Sequence, residues 1–378
     1  MEKRVLRMGG DVSELSYVEE CGGHFYTQDG QEKDLFQIFA ENGINIVRIR
    51  NYNNPGKGRG WTNPDTQEGF YRRDYTGTLQ DNLKLMKRAK NAGMQIEFSF
   101  HYSDYWTNDY TQIIPHAWQT VLDDMPTELA VECLEELIYD YTITSLEAMK
   151  QQDTLPEYIS IGNEIQSGIL FPYGYCSHFG DLARFLNAGA KAVRKVAPKA
   201  RIVLHLDDAC NKFKYGIFLG NCKEYQVDYD VIGISYYPYW TGKTVDQLVE
   251  FCDFLVDEFD RDILIMETGY NFAPTLPDGA YGQLITCGPY ENSYGSSPEG
   301  QQKFMQELVA GMHRVKNGRC IGDLYWDPVM VEQEGVGWAV LENGDQITDN
   351  IVSNTTLFDF EHKARPVMEV YRNNKIEK

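Results

Sequence analysis

The chain has 378 residues, 42% hydrophobic and 13% aromatic, which is ample for a large buried core. Its formal net charge of −21 lacks the basic footprint that nucleic-acid binding needs, and a neutral ligand would meet no repulsion. No apolar run is long enough for a membrane span or a signal peptide, so the expectation is no membrane contact and a cytoplasmic protein, or a secreted one if a signal has been removed.

Residues 8–11 and 44–50 are short apolar runs that read as buried strands. Residues 81–92 form an amphipathic helix with Gly93 at its C-cap, followed by a third strand over 94–101. A long helix over 127–149 leads to a strand at 158–164, and a helix over 183–196, stopped by Pro198, leads to one at 201–206. Strands at 231–237 and 263–267 follow, then a helix over 298–315 and a last strand at 320–326. Eight strand–helix units without a low-complexity linker predict an α/β fold, a (β/α)₈ barrel occupying residues 1–378 as one domain. The long polar stretches 51–72, 273–297 and 328–355 follow strands two, seven and eight, on the rim where such barrels build active sites. The 8 cysteines show no CxxC pair and no zinc spacing, which predicts buried, reduced thiols.

The predicted strand ends carry polar and aromatic groups that a purely structural end would not need. Asp11 ends the first strand, and Arg48 and Arg50 share one face of the second. His101, Asp104 and Trp106 follow the third, His205 and Asp207 the fifth, Tyr237 and Trp240 the sixth, and Trp326 the eighth. Glu164, preceded by Asn163, ends the fourth, and Glu267 ends the seventh. Two carboxylates converging on one rim are the minimum equipment for splitting a glycosidic bond, and flat Tyr and Trp faces suit a sugar ring. Each residue also has a plainer role. The histidines could be structural, or could ligate a metal with Asp104 or Asp207, although no HExxH spacing supports that. Arg48 could neutralise buried carboxylates, and either glutamate alone could be a surface charge. The pattern over eight strands is harder to attribute to chance.

In this order the segments Gly10-Asp11-Val12-Ser13, Val47-Arg48-Ile49-Arg50, Phe100-His101-Tyr102-Ser103-Asp104 and Gly162-Asn163-Glu164 resemble the arabinogalactan endo-β-1,4-galactanases. Leu204-His205-Leu206-Asp207, Ser235-Tyr236-Tyr237-Pro238, Met266-Glu267-Thr268, Pro298-Glu299-Gly300-Gln301, Tyr325-Trp326 and Leu357-Phe358-Asp359-Phe360 extend the resemblance over about residues 8–372. That family of retaining (β/α)₈ glycoside hydrolases implies Glu164 as acid/base, Glu267 as nucleophile and Asn163 at the sugar 2-hydroxyl. It implies that Arg48 and Tyr237 keep Glu267 ionised and oriented. His101, Asp104, His205 and Asp207 would line the glycone side, Trp326 a subsite floor, and Trp106 or Trp240 another wall. The implied substrate is β-1,4-galactan or galacto-oligosaccharides, with no cofactor. Three departures stand out: Trp326-Asp327-Pro328 where the family has Trp-Glu-Pro, Phe171 where a tryptophan is common, and a loop at 275–282 without a calcium-type acidic run. The last predicts no required metal. Rival readings are another β-glycosidase of the clan, such as a β-galactosidase, and a non-catalytic glycan-binding protein, which the presence of both glutamates opposes.

Overall fold

A computed structural model describes residues 5–373. Eight parallel strands close into a barrel: β1 (Arg7–Asp11), β2 (Ile46–Asn51), β3 (Gln95–Phe100), β4 (Tyr158–Ile161), β5 (Arg201–Leu206), β6 (Val231–Ser235), β7 (Asp262–Thr268) and β8 (Cys320–Tyr325). Each pairs with its sequence neighbours, and β1 seals the ring against β8. The main outer helices are α1 (Leu35–Glu41), α2 (Leu79–Asn91), α3 (Thr127–Gln151), α4 (Phe179–Val196), α5 (Lys212–Glu224), α6 (Val245–Phe259), α7 (Pro298–Arg314) and α8 (Met368–Arg372). Among the described residues, no helix is long and apolar enough to cross a membrane.

Local signals set the helix starts. Thr78 accepts the Asp81 amide at the head of α2, and Thr244 with Gln247 makes a reciprocal capping box at the head of α6. The strands are buried on both faces, by helices outside and side chains inside, which is why they read as continuous apolar runs. The barrel interior is layered. Ile46, Tyr158, Val203, Val231, Leu264, Met266, Ile321 and Leu324 form an apolar plug. Farther along, the buried groups on β2, β4, β5 and β6 turn polar, Arg48, Ser160, His205 and Ser235, joined by Ser99 from β3. Asp323 lies on the opposite, outer face of β8 from Leu324, fully buried, with a protein hydrogen bond to neither carboxylate oxygen.

Three irregularities position the active rim. The fourth strand stops at Ile161, not Glu164, because Gly162 (φ 85) and Glu164 (φ 49) enter the left-handed region and turn the chain. The sixth stops at Ser235, before a short helix at Pro238–Thr241. In β7 the register slips, so that Ile265 faces Ile234 but Glu267 faces Ser235. Met266 belongs to the interior plug, and simple alternation would send Glu267 outward. The slip re-aims it toward the rim.

Loops build the wall above. Trp61–Thr62, Gly69–Tyr71 and Val340–Leu341 form a three-stranded antiparallel sheet joining the loops after β2 and β8. A hairpin of Gly168–Ile169 and Gly174–Tyr175 follows Glu164.

Candidate active site

Arg48 is fully buried, and each of its guanidinium nitrogens has a different task. Nη1 donates to Glu267 Oε1 at 2.7 Å, Nη2 to Asn163 Oδ1 at 2.6 Å, and Nε to Ser99 Oγ at 3.1 Å. Tyr237 donates its hydroxyl to the other Glu267 oxygen at 3.0 Å, so both oxygens of this carboxylate are held. Behind Arg48 stands Glu97, also fully buried, which accepts from Ser99 (2.8 Å) and Ser160 (2.7 Å) and lies 3.6 Å from Arg48 Nε. Burial pushes the Glu97 carboxyl up to about 7 against the pull of Arg48 and the two serines.

Glu164 is half-buried, and one of its oxygens lies 2.7 Å from Ser235 Oγ. Burial, reinforced by the negative charges of Glu267 and Asp207, pushes its carboxyl well above the usual range. An oxygen each of Glu164 and Glu267 and a ring nitrogen of His205 lie within 4.8 Å of one another, the one such grouping among the described residues. Both His205 nitrogens are already engaged, Nδ1 with Asn163 Oδ1 and Nε2 with Ser235 Oγ, each at 2.9 Å. A trio whose imidazole is spent in this way suits proton management better than metal ligation.

Glu164, Glu267 and Asn163 face a cleft of about 590 Å³. Of the residues singled out in the sequence, Glu164, Glu267, Asn163, Asp207, Tyr237, Trp106, Trp240 and Trp326 line it. Burial pushes the Asp207 carboxyl up to about 6, with the charge of Glu267 adding to the effect. Trp326 rests with the Arg50 guanidinium 4.4 Å from its ring centre, and the same guanidinium is 4.4 Å from the Trp106 ring. Trp240 is 51% exposed and packs edge-on against Tyr237.

Five residues expected at the substrate site, Asp11, Arg48, His101, Asp104 and His205, are not on the cleft wall. Asp104 is a loop staple: its carboxylate accepts the amides of Asn54 at 2.7 Å and His116 at 2.8 Å. Asp11 is turned inward, 3.0 Å from Arg50 Nε and accepting the Ser13 amide. His101 and His205 are buried, His101 bonded through Nδ1 to Thr107 Oγ1 at 2.8 Å. Burial, with Arg48 next, pushes both imidazoles well below their ordinary range. Arg48 acts from behind, through Glu267 and Asn163. Trp61, Trp338 and Gln283 also line the cleft and were not singled out, although their loops were assigned to the rim; the segment 108–111 lines it too, from a loop after β3 that was not. Asp327, the shortened carboxylate after Trp326, still reaches Arg50 at 2.8 Å.

The sequence profile described as glycosyl hydrolase family 53 matches residues 7–371. The chain belongs to glycosyl hydrolase family 53. It is 32% identical over 332 residues to the arabinogalactan endo-beta-1,4-galactanase of Cellvibrio japonicus, covering 86% of this chain and 80% of that protein. It is 28% identical over 360 residues to a probable arabinogalactan endo-beta-1,4-galactanase A of Aspergillus tubingensis, with 93% of each covered. The solved family 53 catalytic domain of Ignisphaera aggregans superposes with a TM-score of 0.85 at 29% identity, over 98% of this chain and 97% of that one. As a family 53 member this protein is a glycoside hydrolase, and its barrel is the family's barrel.

Proposed function

We propose that this family 53 enzyme cuts β-1,4-galactosidic bonds inside galactan chains, or in the oligosaccharides derived from them, with retention of configuration. The observation that carries the mechanism is the approach of Glu164 and Glu267 to within 4.8 Å at their nearer oxygens. Carboxyl groups about 5–5.5 Å apart suit double displacement, whereas inversion needs about 6.5–9.5 Å to admit a water. Glu267, fixed by Arg48 and Tyr237, attacks the anomeric carbon. Glu164, kept protonated by burial, gives its proton to the departing glycosidic oxygen as the bond breaks. The Glu164 carboxylate then takes a proton from the water that attacks the same carbon and frees Glu267.

The substrate class rests on the names of the relatives and on a cleft walled by Trp61, Trp106, Trp240, Trp326 and Trp338. A diet of short imported oligosaccharides is part of the same proposal; of the eight cysteines expected to be buried, Cys222, Cys252, Cys287 and Cys320 are, whereas Cys21, Cys133 and Cys210 are partly covered and Cys176 is exposed. The test is digestion of β-1,4-galactan, xylan and mannan, with proton NMR of the first-formed product. Turnover of galactan with a β-configured first product is expected. An α-configured first product refutes the double displacement, and turnover of xylan or mannan without galactan refutes the substrate class.

A further inference from the structure

A chain of hydrogen bonds runs from Arg48 to Glu164 through Asn163, His205 and Ser235, and the donors along it can be counted. Arg48 can only donate, so the Asn163 atom 2.6 Å from Nη2 must be the amide oxygen. The other end of that amide agrees, since Asn163 Nδ2 donates to the Thr107 carbonyl at 2.7 Å. The oxygen is therefore also what His205 Nδ1 meets at 2.9 Å, and Nδ1 must carry a proton. His205 is fully buried beside the Arg48 cation, and both keep the imidazole neutral, with a single proton. Its Nε2 is thus a bare acceptor, 2.9 Å from Ser235 Oγ. Serine has one proton to give. Directed at His205, it leaves the Ser235 oxygen only able to accept, and the group 2.7 Å away on the other side is Glu164 Oε1. The proton in that last contact is then Glu164's own.

We propose that Ser235 is a two-position hydroxyl switch, set by His205, that matches the two protonation states of Glu164. While Glu164 is an acid, Ser235 donates to His205 Nε2 and accepts from Glu164. Once Glu164 has given its proton to the leaving group, the Ser235 hydroxyl turns and donates to the new carboxylate. No proton passes along the chain; one O–H rotates. The turn leaves His205 Nε2 without a donor, so the base form carries a cost that the acid form does not, and the chain biases Glu164 toward holding its proton between turnovers. Ser235 and His205 are positioning residues in this scheme. The inference rests on Glu164 being the acid/base. The charged and titratable groups facing Glu164 are Glu267 on β7, Asp207 after β5, Arg48 on β2, Tyr237 after β6 and Tyr110 after β3. His205 faces Arg48 and, just after β3, His101.

The first test is nitrogen-15 NMR of the histidine-labelled protein, with the His205 signal assigned by its loss in His205→Asn. The expected tautomer has the proton on Nδ1 and Nε2 bare. A proton on Nε2 overturns the switch, because Nε2–H would donate to Ser235 and leave its hydroxyl permanently free for Glu164. The second is the pH profile of His205→Asn, whose amide nitrogen keeps the place of Nδ1 but offers nothing to Ser235. Freed to donate to the Glu164 carboxylate, Ser235 should move the basic limb of kcat/KM to lower pH by about one unit, a tenfold change in the acid's equilibrium. A folded, active variant with an unmoved limb, or one moved upward, overturns the inference. A purely structural role for His205 would lower the amount of active enzyme without moving the limb. The underlying reading fails differently: the limb would then persist in Glu164→Ala assayed on an activated aryl glycoside.

Discussion

Asp323→Asn should make the enzyme more stable at neutral pH, by a margin that grows as the pH rises. Asp323 is fully buried on the outer face of β8 with no hydrogen-bond partner in the protein, and burial alone pushes its carboxyl well above the usual range. The folded state therefore holds a proton that the unfolded chain releases above about pH 4. Where the folded state binds more protons, stability falls with rising pH, by about 1.4 kcal/mol per unit for as long as the folded carboxyl stays neutral. Two units already amount to about 3 kcal/mol, against a total of about 5–15 kcal/mol for an ordinary domain. Asparagine has nearly the same shape and no such titration. Its amide brings unpaired donors that cost about 1–3 kcal/mol, but that cost does not change with pH. The variant should thus be level with the wild type, or slightly weaker, near pH 4, and gain on it steadily toward pH 7. Urea unfolding at half-unit steps reads the difference directly. A difference that stays flat across this range would refute the claim that Asp323 is a buried neutral acid. Because the residue faces away from the cleft, kcat/KM per folded molecule should not change.

Glu267→Gln should abolish turnover, while Glu164→Ala should keep activity on substrates with activated leaving groups and yield a β-galactosyl azide when azide is added; a folded Glu164→Ala protein that does neither removes the acid/base assignment. Trp326→Ala should cut kcat/KM on galactan by roughly ten- to a hundredfold, through lost apolar contact and exposure of the Arg50 guanidinium beneath the ring, and unchanged kinetics would put Trp326 outside the substrate path. Phe171 is stacked on Tyr175 at 4.0 Å and does not line the cleft, so it offers a distant sugar little. Activity along a ladder of β-1,4-galacto-oligosaccharides should therefore level off at three or four sugars, in about the range where outer subsites stop contributing, and a rise continuing to polymer would indicate an extended cleft. Neither EDTA nor a reductant should lower the melting temperature; a drop of several degrees with either would reveal a bound metal or a disulfide.

The barrel was legible because parallel strands covered on both faces leave apolar runs, and the rim was legible because those runs end in charged and aromatic residues. What periodicity could not reveal was the local irregularity that aims the catalytic groups. Alternation along β7 would turn Glu267 away from the interior that holds Met266, and only the register slip restores it. Asp104 and Asp11 sit in the same motifs as the cleft residues, yet their oxygens are taken by backbone amides and Arg50, which only three-dimensional neighbours decide. Glu97 drew no notice as one acid in an apolar strand. Its importance comes from Ser99 and Arg48, which share its face of the barrel. Trp61 and Trp338 lie far apart in sequence, and nothing local relates them.

Those two tryptophans both pack against Phe70, with ring centres 6.1 Å and 5.3 Å from it, on the small sheet that pairs Phe70 with Leu341. One side of that sheet leaves the ribosome early and the other near the end of synthesis. Contacts this remote along the chain close late, after shorter-range pairings have limited the search. Glu164 and Glu267 both precede β8 in the chain, so the residues of the chemistry are made before the aromatic wall that would hold a sugar chain is complete. Capture of substrate thus becomes a report that the segment after β8 has docked on the loop after β2, an event that a local probe of the two glutamates would miss.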